Sequence, residues 1–325
     1  MLTRRLFIAG ALAMLSLQAG NALAQSASWP TRLLHVVVTQ PPGGGNDAIA
    51  RLIAANLQVA LGQPVIVENK PGAGGNIATV HVARQPADGY TLLLTPSSHV
   101  GNVYFFAKLP YDPIKDFEPI SLVSSTPFIL VVNASTPATS MKEFLSYARA
   151  NPGLTYGSAG IGQPHHTAGE LLKSMAGIDV LHVPYKGAAG VVPALLSGEI
   201  SFTIGAINSL LPHIRSGKLR VLAAAGSKRT VLLPDVPTIA EAAGLPGYEM
   251  TSWAGMLAPA GTSAAIVDRL STQINRIIQD PRVGDKLTAS GIEPIGTTPQ
   301  RFMEIMKAQL VQYGKITREA NIKPE

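Results

Sequence analysis

The sequence predicts an α/β protein of two lobes, with mainly parallel sheets and two crossovers between the lobes. Short apolar strands alternate with amphipathic helices, which is typical of parallel sheets covered by helices. Two glycine-rich loops, at 41–47 and 71–76, each follow a strand and open a helix. A break in the alternation and a later return strand indicate that the chain leaves one lobe, builds a second and comes back.

The first lobe begins with repeated strand and helix units. The expected elements are strands at 33–39, 64–68 and 90–95, and helices at 48–61 and 77–84. The first helix has an apolar face made of Ile49, Leu52, Ile53 and Leu57. This spacing matches a helix that packs on a sheet, and Gly62 is a typical stop signal.

The first crossover is expected where the alternation breaks. Residues 112–119 are rich in proline and aspartate, and 120–132 reads as two extended pieces split by Pro127. Alternation then resumes. The second set comprises helices at 141–150, 166–176 and 188–196 and strands at 154–156, 180–184, 200–204 and 219–224.

The chain then returns to the first lobe. A tract at 232–247, rich in proline, glycine and aspartate, precedes a strand at 251–258 and three final helices, the last at 300–320. The expected organisation is a removed segment at 1–24, lobe 1 at 25–125 with 250–325, and lobe 2 at 126–249.

The N-terminal segment resembles a secretory signal peptide. Arg4 and Arg5 precede an apolar run at 6–17, and Ala22-Leu23-Ala24 forms an A-x-A cleavage site. The run is shorter than the roughly twenty residues of a bilayer-spanning helix. A soluble periplasmic protein is expected, exported by the Sec or the twin-arginine route.

Composition excludes several classes of protein. The chain has no cysteine, which excludes a lipid-anchored cysteine, disulfides and thiolate metal sites. Without the two arginines at 1–24, the 24 remaining Lys and Arg and 20 Asp and Glu leave a net charge of +4. Because these cations are scattered and not interleaved with aromatic residues, nucleic acid is not an expected partner.

The two glycine-rich loops are typical of anion sites. Glycines allow several N–H groups to face one point, and a helix N-terminus adds unpaired donors and partial positive charge. Neither loop completes a GxxxxGK[ST] or GxGxxG signature, so a small carboxylate fits better than a nucleotide phosphate. The alternative is that both loops are simple tight turns.

A series of motifs runs in order from Trp29 to the C-terminus: PPGGGND, VENKPGAGGN, PADGYTLLL, LPYDPIKDFEPI, YGSAGIG, HVPYKG, GKLRVLAAAG, LPDVPTIAEAA and SWAGMLAPAGT. Together they resemble the Bug-type, TctC-like extracytoplasmic solute receptors of tripartite tricarboxylate transporters. The resemblance implies a type II periplasmic-binding-protein fold that closes on a small organic acid. It also implies delivery of that acid to membrane permease subunits, by a monomer without cofactor or metal.

The resemblance also implies a ligand site between the lobes. One carboxylate would be held by backbone donors and water at the two glycine loops, represented by Gly43, Gly44, Asn46, Gly74, Gly75 and Asn76. Lobe 2 would contribute Ser158, Gly160, Gly162, His166, Thr167 and Asn208. Two departures from the family pattern, Gln40 and Gln163-Pro164, lie near the expected ligand, so the ligand of a relative does not transfer to this chain.

Other functions have weaker support in the same residues. His166 and Glu170 have the spacing of a metal pair on a helix, but two ligands without a third are weak evidence. GxSxG and HExxH motifs are absent. An exported serine hydrolase built on Ser158 and His182 is the main enzymatic alternative, and a purely structural envelope protein would not need two anion loops. No catalytic residue is therefore expected.

Overall fold

The computed structural model describes residues 29–319 and residue 324. The predicted signal peptide at 1–24 lies outside the described residues. Strands and helices alternate along most of the chain, which confirms the predicted α/β class. None of the helices within this described part is long and apolar enough to cross a membrane.

One continuous path of paired strands connects both lobes, in the order β2-β1-β3-β9-β4-β7-β5-β6, with β8 and β10 also paired to β4. The strands are β1 (Leu34–Val38), β2 (Val65–Asn69), β3 (Thr91–Pro96), β4 (Phe117–Asn133), β5 (Leu154–Ser158), β6 (Val180–Pro184), β7 (Phe202–Ala206), β8 (Leu219–Ala224), β9 (Thr251–Pro259) and β10 (Glu293–Pro294). The outer strands are parallel, β1 with β2 and β3, and β5 with β6 and β7. The central strands β4 and β9 pair antiparallel with their neighbours, an arrangement that strand and helix alternation does not reveal.

Strand β4 passes from one lobe into the other. Up to Pro127 it pairs with β9, and from Phe128 onward it pairs with β7 and β8. The expectation of two separate extended pieces is wrong, because the strand is continuous over 17 residues. Proline lacks an N–H and is tolerated in a strand where ladder pairing is interrupted, and Pro127 stands where β4 changes partners.

Lobe 1, defined by β1, β2, β3, β9, β10 and β4 up to Pro127, has helices on both faces of its sheet. They are α1 (Gly45–Leu61), α2 (Asn76–Ala83), α3 (Ser98–Phe105), α9 (Ala264–Gln279), α10 (Pro281–Ala289) and α11 (Pro299–Glu319). Helices α1, α9 and α10 share one apolar core, and α2, α3 and α11 share the other. The apolar face predicted for α1 is confirmed, since Ile49, Ile53 and Leu57 are buried in the first of these cores.

Lobe 2, defined by β5 to β8 and β4 from Phe128, is built in the same three layers. Its helices are α4 (Met141–Ala150), α5 (Pro164–Ala176), α6 (Ala188–Ser197), α7 (Ile207–Arg215) and α8 (Ile239–Ala243). Helices α4, α5 and α8 cover one face, and α6 and α7 cover the other. Helices α3, α7 and α8 were not anticipated from the sequence. Helix α7 contributes residues to the cleft between the lobes, and α3 lies beside it.

Candidate ligand-binding cleft

A cleft of about 760 Å³ lies between the two lobes. Lobe 1 contributes the first glycine loop and the start of α1, and lobe 2 contributes the starts of α5, α6 and α7. The polar residues on its wall include Asn46, Thr126, His165, Lys186, Asn208 and Ser252. Much of the remaining wall is apolar and comes from helices of both lobes.

Four helices begin at the wall of this cleft. The residues Gly45 of α1, Pro164 of α5, Ala188 of α6 and Asn208 of α7 all line it. None of these four helices has a side-chain cap at its N-terminus. The first N–H groups of a helix lack intrahelical partners and carry partial positive charge. Their convergence makes the cleft suited to an anion.

Three helices that begin elsewhere, α4, α8 and α10, have side-chain caps, whereas α2, α3 and α9 lack one as the cleft helices do. Ser140 accepts a hydrogen bond at the start of α4, Thr238 forms a capping box at α8, and Asp280 caps α10. A side-chain cap stabilises a helix by about 1 kcal/mol. The missing side-chain caps at the cleft therefore leave donors for another acceptor.

Several buried polar atoms on the cleft wall have no hydrogen-bond partner among the described residues. They are Asn46 Nδ2, His165 Nδ1 and Asn208 Oδ1. Buried polar atoms in folded proteins nearly always have partners, and an unsatisfied one costs about 1–3 kcal/mol. A polar ligand or ordered water in the cleft would satisfy them.

The first glycine loop is anchored from its own helix. Asp47 Oδ2 accepts hydrogen bonds from Gly43 N at 2.9 Å and Arg51 Nε at 3.0 Å, and Asp47 Oδ1 accepts one from Asn69 Nδ2 at 2.9 Å. Burial alone would raise the pKa of this carboxyl, but the hydrogen bonds from Arg51, Gly43 and Asn69 and the charge of Arg51 lower it overall. Asp47 is therefore an ionised anchor for the loop.

The second glycine loop is closed on itself. Gly75 N donates to Gly72 O, and Asn76 N donates to Ala73 O. The carbonyl of Gly74 accepts hydrogen bonds from the side chains of two other residues, Asn102 and Gln163. Two of the N–H groups expected to hold a carboxylate are thus used inside the loop.

The side chain of Asn76 is also engaged. Its Oδ1 accepts from Asn102 Nδ2 at 2.6 Å and from the Tyr111 hydroxyl at 2.9 Å. Burial raises the pKa of Tyr111 well above its ordinary value, so its hydroxyl stays protonated as a donor. Asn76 therefore fixes the start of α2 against α3.

In lobe 2, the loop that follows β5 is organised around Ser158. Its hydroxyl lies 2.6 Å from His182 Nε2 and accepts from Gly160 N at 3.1 Å. Ser158 is fully buried, and within the described residues no carboxylate is hydrogen-bonded to His182. The pair therefore lacks the exposed nucleophile and the orienting acid of a hydrolase triad.

A stack of histidines supports the same loop. The rings of His166 and His182 stack with centroids 4.1 Å apart, and Gly162 N donates to His166 Nδ1 at 3.3 Å. Burial, the neighbouring His182 and Lys173 lower the pKa of His166 to about 3. Burial, followed by Lys173, lowers the pKa of His182 to about 4. Both rings are neutral at physiological pH.

The predicted site residues fall into two groups. Gly43, Gly44, Asn46 and Asn208 line the cleft. The other predicted residues lie outside its wall: Gly74, Gly75, Asn76, Ser158, Gly160, Gly162, His166 and Thr167. Their role as ligand contacts stays a prediction.

Sequence reasoning missed other residues on the cleft wall. His165, Lys186 and Gly187 lie at the starts of α5 and α6, Thr126 lies on β4, and Ser252 lies on β9. His165, Lys186 and Gly187 follow strands in the sequence, and this position after a strand is a signal that could have identified them. Thr126 and Ser252 depend on the antiparallel pairing of β4 with β9, in which they are direct partners.

A family model described as the tripartite tricarboxylate transporter family receptor, TctC, matches residues 49–322. The chain belongs to this receptor family. It is 36% identical to the protein BugT of Bordetella pertussis over 310 residues, which cover 94% of each chain. The family is one of substrate-binding receptors and not of enzymes, so the serine-hydrolase alternative is wrong.

Solved structures agree with this assignment. Rpa4515 of R. palustris with adipate matches with a TM-score of 0.87 and 38% identity, over 92% of this chain and 100% of that one. MatC from Rhodopseudomonas palustris with bound malate matches with a TM-score of 0.83 and 33% identity, over 89% and 99%. The two-lobe, type II periplasmic-binding-protein fold is confirmed.

Proposed function

We propose that this receptor captures a small organic carboxylate between its lobes in the periplasm and delivers it, as a monomer, to the permease subunits of a tripartite transporter. The lobes proposed to close are those predicted at 25–125 with 250–325 and at 126–249, a boundary close to Pro127, where β4 changes partners. The observation that carries the proposal is the convergence of four helix N-termini without side-chain caps on one cleft. Membership of the receptor family supports it independently.

The first glycine loop is the proposed site for one carboxylate. Its helix α1 begins at Gly45 without a side-chain cap, and Asn208 of lobe 2 faces it across the cleft. A Cβ built on Gly45 would lie only 2.9 Å from Asn208 Nδ2. The ligand carboxylate therefore has donors from both lobes within one small volume, and its binding favours closure.

The rest of the cleft favours a ligand with an apolar body. Besides its polar residues, the wall includes apolar side chains such as Leu52, Phe128, Val192 and Leu211. Two relatives have dicarboxylates in their structures, adipate in one and malate in the other. We rank aliphatic dicarboxylates and aromatic acids above hydroxylated tricarboxylates, because hydroxyl groups against this wall would lose hydrogen bonds to water.

The direct test is a thermal-shift screen of the mature protein with adipate, malate, citrate, aspartate and benzoate. A ligand at about 100 times its Kd adds roughly 2.7 kcal/mol to the free energy of unfolding. At least one acid should raise Tm and be recovered chemically unchanged. Failure of every acid in a broad organic-acid panel, or turnover of the bound acid, would contradict the proposal.

Export is tested separately. N-terminal sequencing of protein from the periplasmic fraction should begin at residue 25. Protein found in the cytoplasm with residues 1–24 still attached would contradict the proposed location.

A further inference from the structure

One side chain reaches from lobe 2 across to the second glycine loop of lobe 1. Gln163, at the start of α5, donates from Nε2 to Gly74 O at 3.0 Å and lies 3.5 Å from Ser98 Oγ. The side chain is 93% buried, since only 7% of the residue is exposed. Because Nε2 faces a carbonyl oxygen, the orientation of this amide is fixed by its partner.

The backbone around this contact is closely packed. A Cβ on Gly74 would lie 3.3 Å from Ile161 O, and a Cβ on Gly162 would lie 2.8 Å from Asn102 Oδ1. The rings of Phe105 and His166 meet beside it, with centroids 5.3 Å apart. The glycines let the two lobes approach here more closely than other residues would permit. We call this region, Gly74, Asn102 and Phe105 with Ile161, Gly162 and Gln163, the interlobe seam.

The second glycine loop has an unusual backbone that needs external support. Four successive residues have positive φ, and they are Gly72 at 120°, Ala73 at 47°, Gly74 at 64° and Gly75 at 97°. Residues other than glycine rarely adopt this conformation, and Ala73 does so here. The hydrogen bonds from Asn102 and Gln163 to Gly74 O hold the loop in this form.

We propose that Gln163 is a positioning residue that latches lobe 2 to the second glycine loop, so that the closed arrangement forms before the ligand binds. The carboxamide donates to the carbonyl of Gly74 across the lobes, a contact that a bound carboxylate cannot make because it has no donor. The ligand carboxylate then binds at the first glycine loop and the start of α7, and not at the second glycine loop. Closure by Gln163 raises the fraction of receptor that is competent to bind, and the apparent Kd falls in proportion to that fraction.

The test measures the distance between the lobes without any ligand. The chain has no cysteine, so a spin-label pair is introduced cleanly by Val59→Cys on α1 and Leu181→Cys on β6, both exposed positions. In this background, Gln163→Ala removes the latch. Gln163→Met keeps the approximate size of the side chain but has no donor for Gly74 O.

The matched control is Gln85→Ala. Gln85 also donates from its side chain to a backbone carbonyl, that of His81, but this bond lies within lobe 1. Thermal unfolding of each variant confirms that it is folded. If Gln163→Ala fails to fold, Gln163→Met is compared with the parent instead.

Without ligand, the parent protein and Gln85→Ala should give the same short interlobe distance, and both Gln163 variants should shift toward longer distances. A parent distribution that already matches the Gln163 variants would overturn the latch, as would folded Gln163 variants that match the parent. Neither result depends on whether an organic acid binds, so the test stands apart from the proposed function.

A second measurement connects the latch to binding. With adipate as the probe, Gln163→Ala should raise the dissociation rate roughly two- to tenfold, the range expected for one hydrogen bond. Gln85→Ala should leave it unchanged. An unchanged rate in Gln163→Ala with bound adipate would overturn the latch, and absence of adipate binding in the parent would count against adipate as the ligand only.

Discussion

The two glycine loops are similar in sequence but differ in what their backbone groups do. In the first loop Gly43 N donates to Asp47 Oδ2 and Gly44 N donates to Pro41 O, and α1 begins at the cleft without a side-chain cap. In the second loop Gly75 N donates to Gly72 O, and the carbonyl of Gly74 faces the other lobe. Because both loops use glycine N–H groups internally, they differ chiefly in the helix that follows: α1 begins on the cleft wall, and α2 begins outside it.

The largest effect should come from Gly45→Val. Gly45 has a φ that any residue can adopt, but its Cβ would meet Asn208 Nδ2 at 2.9 Å across the cleft. A branched side chain there blocks both the helix donors and closure. We expect the affinity for the acid found by the screen to fall about a hundredfold, measured by calorimetric titration.

The control for this substitution is Gly284→Ala in α10. A Cβ there would be 3.6 Å from Ile278 O, which is ordinary contact. This variant should bind as the wild type does. If Gly45→Val also binds normally, the first loop is not the carboxylate site.

Gly75→Val should act mainly on stability. Gly75 has a φ of 97°, and its Cβ would lie 3.1 Å from Thr39 Cβ. The strained backbone and the crowding should lower the free energy of unfolding by about 2 kcal/mol. Denaturant titration measures this loss, and affinity should fall less than in Gly45→Val. A variant with wild-type stability but no binding would reverse the comparison and make the second loop the anion site.

Asp47→Asn should loosen the first loop with a defined pH dependence. Neutral asparagine replaces a buried carboxylate that accepts three hydrogen bonds, so about 1.5–3 kcal/mol of stability should be lost at pH 7. The pKa of Asp47 is lowered in the folded protein, so its contribution is fully present above the unfolded-state value near 3.8 and is lost as the pH falls below it.

Denaturant titrations from pH 7 to pH 3 test this dependence. The difference between wild type and Asp47→Asn should narrow only at the acid end. A difference that stays constant to pH 3 would mean that the charge of Asp47 does not hold the loop.

The smallest effect should come from Lys186→Ala. Lys186 lies on the cleft wall next to Gly187, but its side chain is exposed to solvent. Exposed charges contribute about 0–1 kcal/mol, so the affinity should change less than about fivefold and the association rate should become less sensitive to salt. If Lys186→Ala loses as much affinity as Gly45→Val, the ligand carboxylate is bound by a cationic side chain and not by helix N-termini.

Much of the fold could be predicted because it depends on local patterns. The apolar periodicity of α1 and the β-branched runs of β1 and β3 are short-range signals that tertiary packing reinforces. The continuity of β4 through Pro127 could not be predicted, because it depends on pairing with strands far away in the sequence. Helix α3 was missed because Pro96-Ser97-Ser98 resembles a loop.

The site was harder to predict for the same reason. The starts of α1 and α7 could be found from glycine and asparagine after a strand, as Gly44 and Asn208 illustrate. Whether Gly74 faces a ligand depends on Asn102 and Gln163, which lie in other elements. No local sequence pattern predicts those contacts.

The return of the chain in β9 also sets an order for folding. Leu93 of β3 pairs with Leu257 of β9, so the sheet of lobe 1 is incomplete until most of the polypeptide is available. The strands of lobe 2 come from one continuous stretch, and contacts between nearby residues form faster than distant ones. We therefore expect lobe 2 to fold first and lobe 1 to close last. The final helix joins the two events, because Phe302 packs in lobe 1 and Ile316 in the core of lobe 2.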